Sequence, residues 1–325
     1  MGDLLRRGRR KLRRLIGKPT PLELSLRRAG QKLWTPRRGV VLGSDHAVFW
    51  GGKRERSRLG LYLLGGCDLP AIFKAVPLIH AGLDGTCAML KHGTIAQCRS
   101  ELVLQTLESF PDGALAEAQE KLKLREGYFE PTLFEPTFRV PVPRFENVDF
   151  DKTVIILSIA GDAVRTLYRH RENGFLVDPG GWWLDRTKEQ VLEDLETVTW
   201  FRKTFESVGR ATAESFYENY TKLIPILKER TGAEILVFNV LTVEPFNTTH
   251  TYQLMKNAHT RHRREMNVAL WELARRFDIS VIDVDRVLKD VGIQKTQMDF
   301  AHYPPASLEP IAKEIVRVLH EREVV

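Results

Sequence analysis

Residues 61–69 are Leu61-Tyr62-Leu63-Leu64-Gly65-Gly66-Cys67-Asp68-Leu69, an unbroken apolar run that stops at two glycines. A short apolar run bounded by glycine is typical of a strand that is buried on both faces. The residues from Leu69 to about Ala75 then follow a helical pattern. The stretch therefore predicts a strand, a tight turn and a helix, with the thiol of Cys67 at the turn.

The same alternation of strands and helices continues along the chain. Strands are predicted at 39–43, 47–50, 59–64, 76–80, 153–159, 234–240 and 279–284. Helices are predicted at about 69–75, 100–125, 211–230, 257–276 and 308–319. Because apolar strands that alternate with helices favour a parallel sheet covered on both faces, we predict an α/β fold. Its expected architecture is a three-layer α/β/α sandwich around a mostly parallel, flavodoxin-like five-stranded sheet.

The N-terminal part of the chain differs sharply in charge from the rest. Residues 1–38 contain thirteen Lys/Arg and two Asp/Glu, a net charge of +11, whereas the whole chain carries +7 and the remainder is therefore −4. Apolar residues in this arm share one helical face: Leu5, Leu12, Leu15 and Ile16. The pattern suits an amphipathic helix on an anionic membrane surface. A solvated basic tail remains the alternative. Nucleic-acid binding is not expected, since no aromatic residues interleave with the arginines.

Composition and length set the remaining limits. The chain has 325 residues, of which 43% are hydrophobic and 28% charged, as in ordinary globular proteins. Cys67, Cys87 and Cys98 form no disulfide framework, and no apolar run marks a signal peptide. We therefore expect a cytoplasmic protein whose arm can attach it to the inner face of the membrane.

We divide the chain into the arm, residues 1–38, and one α/β domain, residues 39–325, with an insertion at about 163–210. An insertion of this size beside a strand end often forms a lid or a binding loop. It contains Trp182 and Trp183, for which two interpretations remain open. They form a platform for a sugar or acyl group, or they are lid residues that pack on the core.

A pairing of carboxylate and imidazole lies near the C-terminus, in Asp299-Phe300-Ala301-His302-Tyr303-Pro304-Pro305. A helical pattern follows at once, so both side chains are expected on a loop that enters the last helix. The carboxylate of Asp299 can then orient the imidazole of His302, which can act as a general base. This arrangement requires a nucleophile elsewhere, and Cys67 is the main candidate.

The predicted strand ends bring these residues to one edge of the sheet, where ligands bind in open α/β folds. The order of the motifs resembles the SGNH (GDSL-like) hydrolase superfamily over about residues 59–320. The stretch from Leu63 to Leu69 stands where that family has its Gly-Asp-Ser-Leu block. The stretch His80-Ala81-Gly82-Leu83-Asp84-Gly85-Thr86 resembles the second block, and Leu157-Ser158-Ile159-Ala160-Gly161-Asp162 the third. Asp299 and His302 match the last block.

The resemblance implies roles for these positions. Cys67 would be the nucleophile, His302 the base and Asp299 its orienting carboxylate. The backbone of Cys67 and of Gly85 would hold the oxyanion, with Gly161 at the third oxyanion position. Asp162 would stabilise a loop or contact the substrate.

Two residues depart from the family pattern. Cys67 replaces the usual serine, and Gly161 replaces the asparagine whose side chain donates to the oxyanion. Removing one such donor costs roughly 10²–10³ in rate in other enzymes. A cysteine at the nucleophile position also resembles capsule-polysaccharide-biosynthesis proteins with a Gly-Asn-Cys-Gln motif, although Gly66 and Asp68 stand for the Asn and Gln. That resemblance implies a coenzyme A thioester as a co-substrate, and no other cofactor is expected.

Alternatives to this assignment remain at two places. Ser44, in Leu42-Gly43-Ser44-Asp45-His46, also follows a short apolar strand and is the alternative nucleophile. His46, His80 and His250 have a spacing that fits no metal signature, so no metal site is expected.

Two functions are therefore carried forward. The first is an SGNH-like acyl-ester hydrolase or acyltransferase that acts on O-acyl groups of a carbohydrate. The second is a degenerate protein of the same fold that binds an acyl donor or glycan in a membrane-associated polysaccharide pathway.

Overall fold

The computed structural model describes residues 39–42, 46–51, 58–65, 68–69, 72, 76, 78, 81–83, 85–90, 97–125, 127–134, 152–179, 194–242, 259–292 and 303–325. By its internal contacts the chain divides into two units, Met1–Gly39 and Val40–Val325. The arm, residues 1–38, lies outside the described residues, so its helix and its boundary stay predictions. Most of residues 127–150 also lie outside the described residues.

The described residues form these elements. The strands are β1 (Gly39–Leu42), β2 (His46–Gly51), β3 (Arg58–Leu64), β4 (Gly85–Leu90), β5 (Lys152–Ser158), β6 (Leu167–His170), β7 (Leu176–Val177), β8 (Phe205–Gly209), β9 (Glu234–Phe238) and β10 (Ser280–Ile282). The helices are α1 (Ser100–Gln105), α2 (Asp112–Lys121), α3 (Ala160–Val164), α4 (Leu195–Thr204), α5 (Ala213–Thr231), α6 (His259–Phe277), α7 (Val284–Val291) and α8 (Pro305–Glu321). A 3₁₀ turn covers Thr132–Phe134.

Seven strands form the main sheet in the order β1-β2-β4-β3-β5-β9-β10. Strands β4, β3, β5, β9 and β10 run parallel to one another. Strand β2 is antiparallel to its neighbour β4. Numbered along the chain, the five parallel strands have the order 2-1-3-4-5, which is flavodoxin-like. The prediction of a mostly parallel sheet is confirmed, with β1 and β2 added at one edge.

One predicted strand is wrong. The second parallel strand is Gly85–Leu90 rather than 76–80. Pro77 interrupts residues 76–80, and a proline cannot donate to a sheet ladder, so it is not expected in a central strand. The predicted helix 100–125 is also two helices, α1 and α2, and Pro111 is the N-cap of the second.

Helices cover both faces of the sheet. The side chains of each strand alternate between two separate cores. Leu61, Leu63, Val154, Ile156 and Leu236 point into a cluster with α7 and α8. On the other face, a second cluster with α5 and α6 contains Tyr62, Leu64, Ile155, Leu157 and Ile235. The fold is therefore a three-layer α/β/α sandwich, and the apolar character of the strands follows from burial on both faces.

The region predicted as an insertion builds a sheet of its own. Strands β7, β6 and β8 form a three-stranded antiparallel sheet. Its core is aromatic: Phe175 lies edge to face with Phe205 at a centroid distance of 5.9 Å, and Phe201 stacks on Phe205 at 5.0 Å. Helix α2 contributes Ala118 to the same core. The described part of 163–210 is thus a small subdomain rather than an extended loop.

Among the described residues, no helix is long and apolar enough to cross a lipid bilayer.

Candidate functional site

The carboxyl ends of the parallel strands meet at one edge of the sheet, where open α/β folds bind ligands. Three described segments begin there. Gly65 and Asp68 follow β3, Ile159–Asp162 follow β5, and Asn239 follows β9. The residues directly after β4, 91–96, lie outside the described residues.

Six predicted site residues also lie outside the described residues: Ser44, Cys67, Trp182, Trp183, Asp299 and His302. Their roles therefore stay predictions. Two residues next to them are described: Asp68, directly after Cys67, and Tyr303, directly after His302.

Asp68 lies in the interior at the edge of the sheet. Its relative exposure is 1%, and the hydroxyl of Ser158 donates a hydrogen bond to its Oδ2 atom. Gly65 permits this close packing, since a Cβ atom there would lie 2.8 Å from both Ser158 Cβ and Leu69 Cδ1. The turn after β3 is therefore fastened to the end of the central strand β5.

Tyr303 lies on the same side of the sheet as the helical turn that follows Cys67. It packs against the hydrophobic cluster that contains Leu69 and Ile72. Burial, and secondly the Asp68 carboxylate, raise the pKa of the Tyr303 phenol well above its ordinary value. Tyr303 and the described residues Leu69 and Ile72 therefore belong to the same part of the core.

Gly161 is a glycine because another part of the backbone occupies its side-chain space. A Cβ atom at this position would lie 1.6 Å from the carbonyl oxygen of Cys98 and 2.6 Å from its carbonyl carbon. No side chain fits there unless the backbone at Cys98 moves. Position 161 therefore offers no side-chain donor, and only its backbone amide is left for an oxyanion.

Asp162, predicted to stabilise a loop or to contact the substrate, has a carboxylate that is enclosed by protein. Its relative exposure is 1%. The amide and hydroxyl of Ser100 donate to Oδ1 at 2.9 and 2.7 Å, and the hydroxyl of Tyr220 donates to Oδ2 at 3.4 Å. Burial, followed by the nearby Glu101 carboxylate, raises the pKa of Asp162 to about 7. Asp162 therefore ties α1 and α5 to the turn after β5.

This pKa makes the stability of the fold depend on pH. The carboxyl group binds its proton more tightly in the folded chain, with a pKa of about 7 against an ordinary value of 3.8. Its stabilising contribution is therefore complete below pH 4 and is lost as the pH rises through 7. At about 1.4 kcal/mol per pKa unit, the loss is on the order of 4 kcal/mol.

We expect Asp162→Asn to raise the melting temperature above that of the natural chain at pH 8 and to raise it by a smaller amount at pH 5. The neutral amide can accept from Ser100 and donate to Tyr220, so the buried charge is avoided. Thermal unfolding from pH 5 to 8 measures this, with the exposed Glu120→Gln as the control variant. An unchanged pH dependence in Asp162→Asn would contradict the assignment.

The structure also corrects the role of Gly85. This residue begins β4, and its neighbour Thr86 pairs with Arg58 at the start of β3. It therefore lies at the amino end of the parallel strands, roughly 16 Å from their carboxyl ends at a rise of about 3.3 Å per residue. Gly85 cannot hold an oxyanion near Cys67. The next glycine after β4 in the sequence is Gly93.

A second polar cluster, which the sequence did not reveal, joins the small subdomain to the main sheet. The Cys98 thiol donates to Asp178 Oδ2 at 2.8 Å, and Arg165 makes two bonds of 2.7 Å to the same carboxylate. Burial and then the Asp178 carboxylate raise the pKa of the Cys98 thiol well above its ordinary value. Cys98 is therefore a hydrogen-bonded structural thiol. Its partner lies 80 residues away in sequence, so no local pattern indicates the contact.

A further network fixes the segment after β9. The Asn239 side chain donates to Asp283 at 2.8 Å and accepts from the amide of Asp285 at 3.0 Å. Asp285 in turn accepts from the amide of Thr242 at 2.7 Å. A cavity of about 270 Å³ lies beside it, lined by Asn239, Asn267, Trp271, Val281, Asp283, Arg286, Glu314 and Arg317. The polar side chains of this network are hydrogen-bonded to neighbouring protein groups. The network therefore stabilises the strand ends.

The chain matches no protein-family model, and no curated protein matches it. Its fold is similar to those of solved lipases and esterases. One is a lipase/acylhydrolase from Enterococcus faecalis, with a TM-score of 0.40 and 16% identity over 81% of this chain and 96% of that one. Another is an acetylxylan esterase from Geobacillus stearothermophilus, with a TM-score of 0.38 and 10% identity over 80% and 93%. A third is a member of the lipolytic G-D-S-L family from Veillonella parvula, with a TM-score of 0.38 and 11% identity over 81% and 98%.

Proposed function

We propose that this chain is an SGNH-like acyl-ester hydrolase or acyltransferase with a Cys67–His302–Asp299 constellation. The observation that carries the proposal is the placement of two flanking residues. Asp68, next to Cys67, is buried directly after β3, and Tyr303, next to His302, packs against the hydrophobic cluster that contains Leu69.

The proposed reaction follows from the chemistry of these groups. His302 takes the thiol proton, and the Cys67 thiolate attacks the ester carbonyl. Asp299 holds the imidazole in the orientation that this transfer needs. As the ester C–O bond breaks, His302 returns the proton to the leaving alkoxide. Water hydrolyses the resulting thioester, or an acceptor hydroxyl takes the acyl group.

The oxyanion would be held by backbone amides alone. Cys67 would supply one, and Gly161, in the first turn of α3 directly after β5, would supply another. We propose that the backbone amide of Gly93, the glycine that follows β4 in sequence, takes the oxyanion role predicted for Gly85. A site without the side-chain donor is expected to be a slower catalyst, by roughly 10²–10³.

One observation favours the second function, a protein that binds an acyl donor or glycan without hydrolysing it. The Cys98 carbonyl fills the space that a side chain at position 161 would need. The missing donor is therefore built into the packing of the backbone. Under both functions we propose an O-acyl carbohydrate or a coenzyme A thioester as the ligand class, with Trp182 and Trp183 as its platform.

The reactivity of the three cysteines tests the nucleophile. We expect iodoacetamide to modify Cys67 faster than Cys87 and Cys98, because a helix N-terminus and an imidazole favour the thiolate. Cys98 is the internal control, since its thiol is bonded to Asp178 and its pKa is raised. Peptide mass spectrometry measures the rate at each position. Equal labelling of all three, or faster labelling elsewhere, would return Cys67 to a structural role.

We further propose that residues 1–38 attach the protein to anionic membranes. Each basic residue near such a surface contributes on the order of 1 kcal/mol, and salt screens this contribution. The full chain is expected to sediment with phosphatidylserine vesicles at low salt and to be released at high salt. A chain that starts at Gly39 should stay in the supernatant. Equal binding by both chains would show that the arm is not the attachment site.

A further inference from the structure

The cavity of about 270 Å³ lies beside β10, the strand at one end of the main sheet. Within the described part of the chain, no strand pairs with the outer edge of β10. Helices α6, α7 and α8 supply most of the lining, and Val281 comes from β10 itself. The volume lies just below the range of about 300–1,000 Å³ found for drug-sized ligands, so the cavity suits a molecule with a single ring.

Trp271, on α6, gives this cavity an accessible apolar surface. Its relative exposure is 61%, and the other apolar residue of the lining is Val281. The face of an indole ring carries partial negative charge, so weakly positive C–H groups pack favourably against it. The cavity therefore offers a surface for the apolar face of a ring.

Polar side chains of the same cavity are held in place and still have hydrogen-bonding capacity. The Asn267 amide accepts from the N–H of Val240 at 3.1 Å and donates to its carbonyl at 2.8 Å. The Asn239 amide donates to Asp283 at 2.8 Å. Each of these amide nitrogens has a second N–H to donate. Within the described residues, Asp283 accepts from Asn239 and from the Arg286 amide at Oδ1, which leaves Oδ2 as an acceptor.

The backbone of Val281 adds a donor and an acceptor at the sheet edge. The carbonyl of Ile282 accepts from the amide of Asn239, the residue after β9, at 3.3 Å. The backbone polar groups of Ile282 therefore face β9. Successive residues of a strand direct these groups to opposite sides, so those of Val281 face the outer edge, where an unpaired strand can bind a ligand.

The two arginines that line the cavity are already paired with carboxylates. Arg286 contacts Asp290 at 3.0 Å and Glu314 at 2.9 Å. Arg317 contacts the same Glu314 at 2.8 Å and also pairs with Glu321. An anionic ligand would have to compete with these carboxylates for both guanidinium groups. The cavity therefore favours a neutral ligand that both donates and accepts hydrogen bonds.

We propose that this cavity binds one neutral sugar ring, a pyranose. Such a ring combines an apolar C–H face, which would pack on Trp271, with hydroxyls that can donate to Asp283 Oδ2 and accept from the two asparagine amides. The backbone of Val281 would bind a further hydroxyl. The site uses no residue of the proposed catalytic constellation. It therefore goes beyond the proposed function and does not require ester hydrolysis.

Binding of simple glycosides to the full chain tests this site by saturation-transfer difference NMR. The probes are the methyl glycosides of glucose, galactose, mannose, xylose and N-acetylglucosamine, used up to about 50 mM, because one ring is expected to bind with a Kd of about 1 mM. At least one should bind. Trp271→Ala should then weaken binding about tenfold or more. Asp283→Asn, which keeps an oxygen for Asn239, should weaken it about tenfold. Val268→Ala is the matched control, since Val268 is an exposed residue of α6 that does not line the cavity.

The outcomes separate this site from the other proposals. The probes contain no ester, so the result does not depend on Cys67. Binding of none of the five glycosides, or binding that Trp271→Ala leaves unchanged, would overturn the proposal. Tighter binding of glucuronate than of the glucoside would contradict the neutral ligand class. Sedimentation velocity is measured on the same proteins, and a dimer that Trp271→Ala dissociates would show that this surface is a contact between two copies of the chain instead.

Discussion

Replacing Gly161 with alanine is expected to destabilise the protein severely, although the residue lies in a helix. In a helix interior, alanine is about 1 kcal/mol more favourable than glycine. Against that gain stands a Cβ atom 1.6 Å from the Cys98 carbonyl oxygen, a backbone atom that cannot rotate away. Overpacking of this kind costs about 1–3 kcal/mol when side chains can adjust, and more when the backbone must move. We expect a net loss above about 3 kcal/mol and little soluble protein.

Gly113→Ala is the matched control for this substitution. Gly113 lies in α2, and a Cβ atom there meets nothing within 4 Å. Its replacement should keep or slightly raise the melting temperature, which thermal unfolding measures for both variants. If Gly161→Ala unfolds at the same temperature as the natural chain, the Cys98 backbone does not fill the side-chain space at position 161. The lack of an oxyanion side chain there would then have another cause.

The second large effect concerns ester hydrolysis. If Cys67 is the nucleophile and His302 the base, Cys67→Ala should abolish measurable hydrolysis of p-nitrophenyl acetate. His302→Ala should lower kcat by about 10²–10⁴, the usual contribution of a general base. Ser44→Ala is the control and should retain the natural rate. Loss of activity in Ser44→Ala with activity retained in Cys67→Ala would move the nucleophile to Ser44.

A chain that binds the ligand but hydrolyses no ester would have the second proposed function. If the natural chain hydrolyses no ester while an acyl-coenzyme A or an acylated glycan still raises its melting temperature, the enzymatic function is wrong. Ligands that bind the folded state raise its stability by mass action, whether or not they react. The two functions are therefore distinguished by the same purified protein.

The strands that the sequence predicts well are those buried on both faces. Residues 153–159 and 234–240 contain long runs of Val, Ile and Leu, and the structure has β5 and β9 there. Burial on both faces leaves no polar alternation, so the run itself is the signal. Strand β4 has the sequence Gly-Thr-Cys-Ala-Met-Leu, which is less apolar than the other parallel strands. The more apolar stretch at 76–80 was therefore predicted as the strand in its place. The error in β4 is also the source of the error in Gly85.

The site contacts that the sequence missed all join distant parts of the chain. Cys98 meets Gly161 and Asp178, and Ser100 meets Asp162 at a separation of 62 residues. Asp162 looks like a ligand-binding residue beside a strand end, and only the packing of α1 and α5 reveals that it is enclosed. Buried polar contacts of this kind depend on the tertiary fold, which periodicity does not encode. The sequence suggests candidate residues for the chemistry, but not which of them face solvent.

The covalent intermediate is the most direct test of the proposed site. The full chain is incubated with p-nitrophenyl acetate, quenched in acid, digested and analysed by peptide mass spectrometry. The predicted result is an acetyl group on Cys67 that iodoacetamide treatment before the ester prevents and that Cys67→Ala lacks. Hydrolysis of the ester with the acetyl group on Ser44 or any other residue, or hydrolysis that continues unchanged after Cys67 has been blocked, would contradict it.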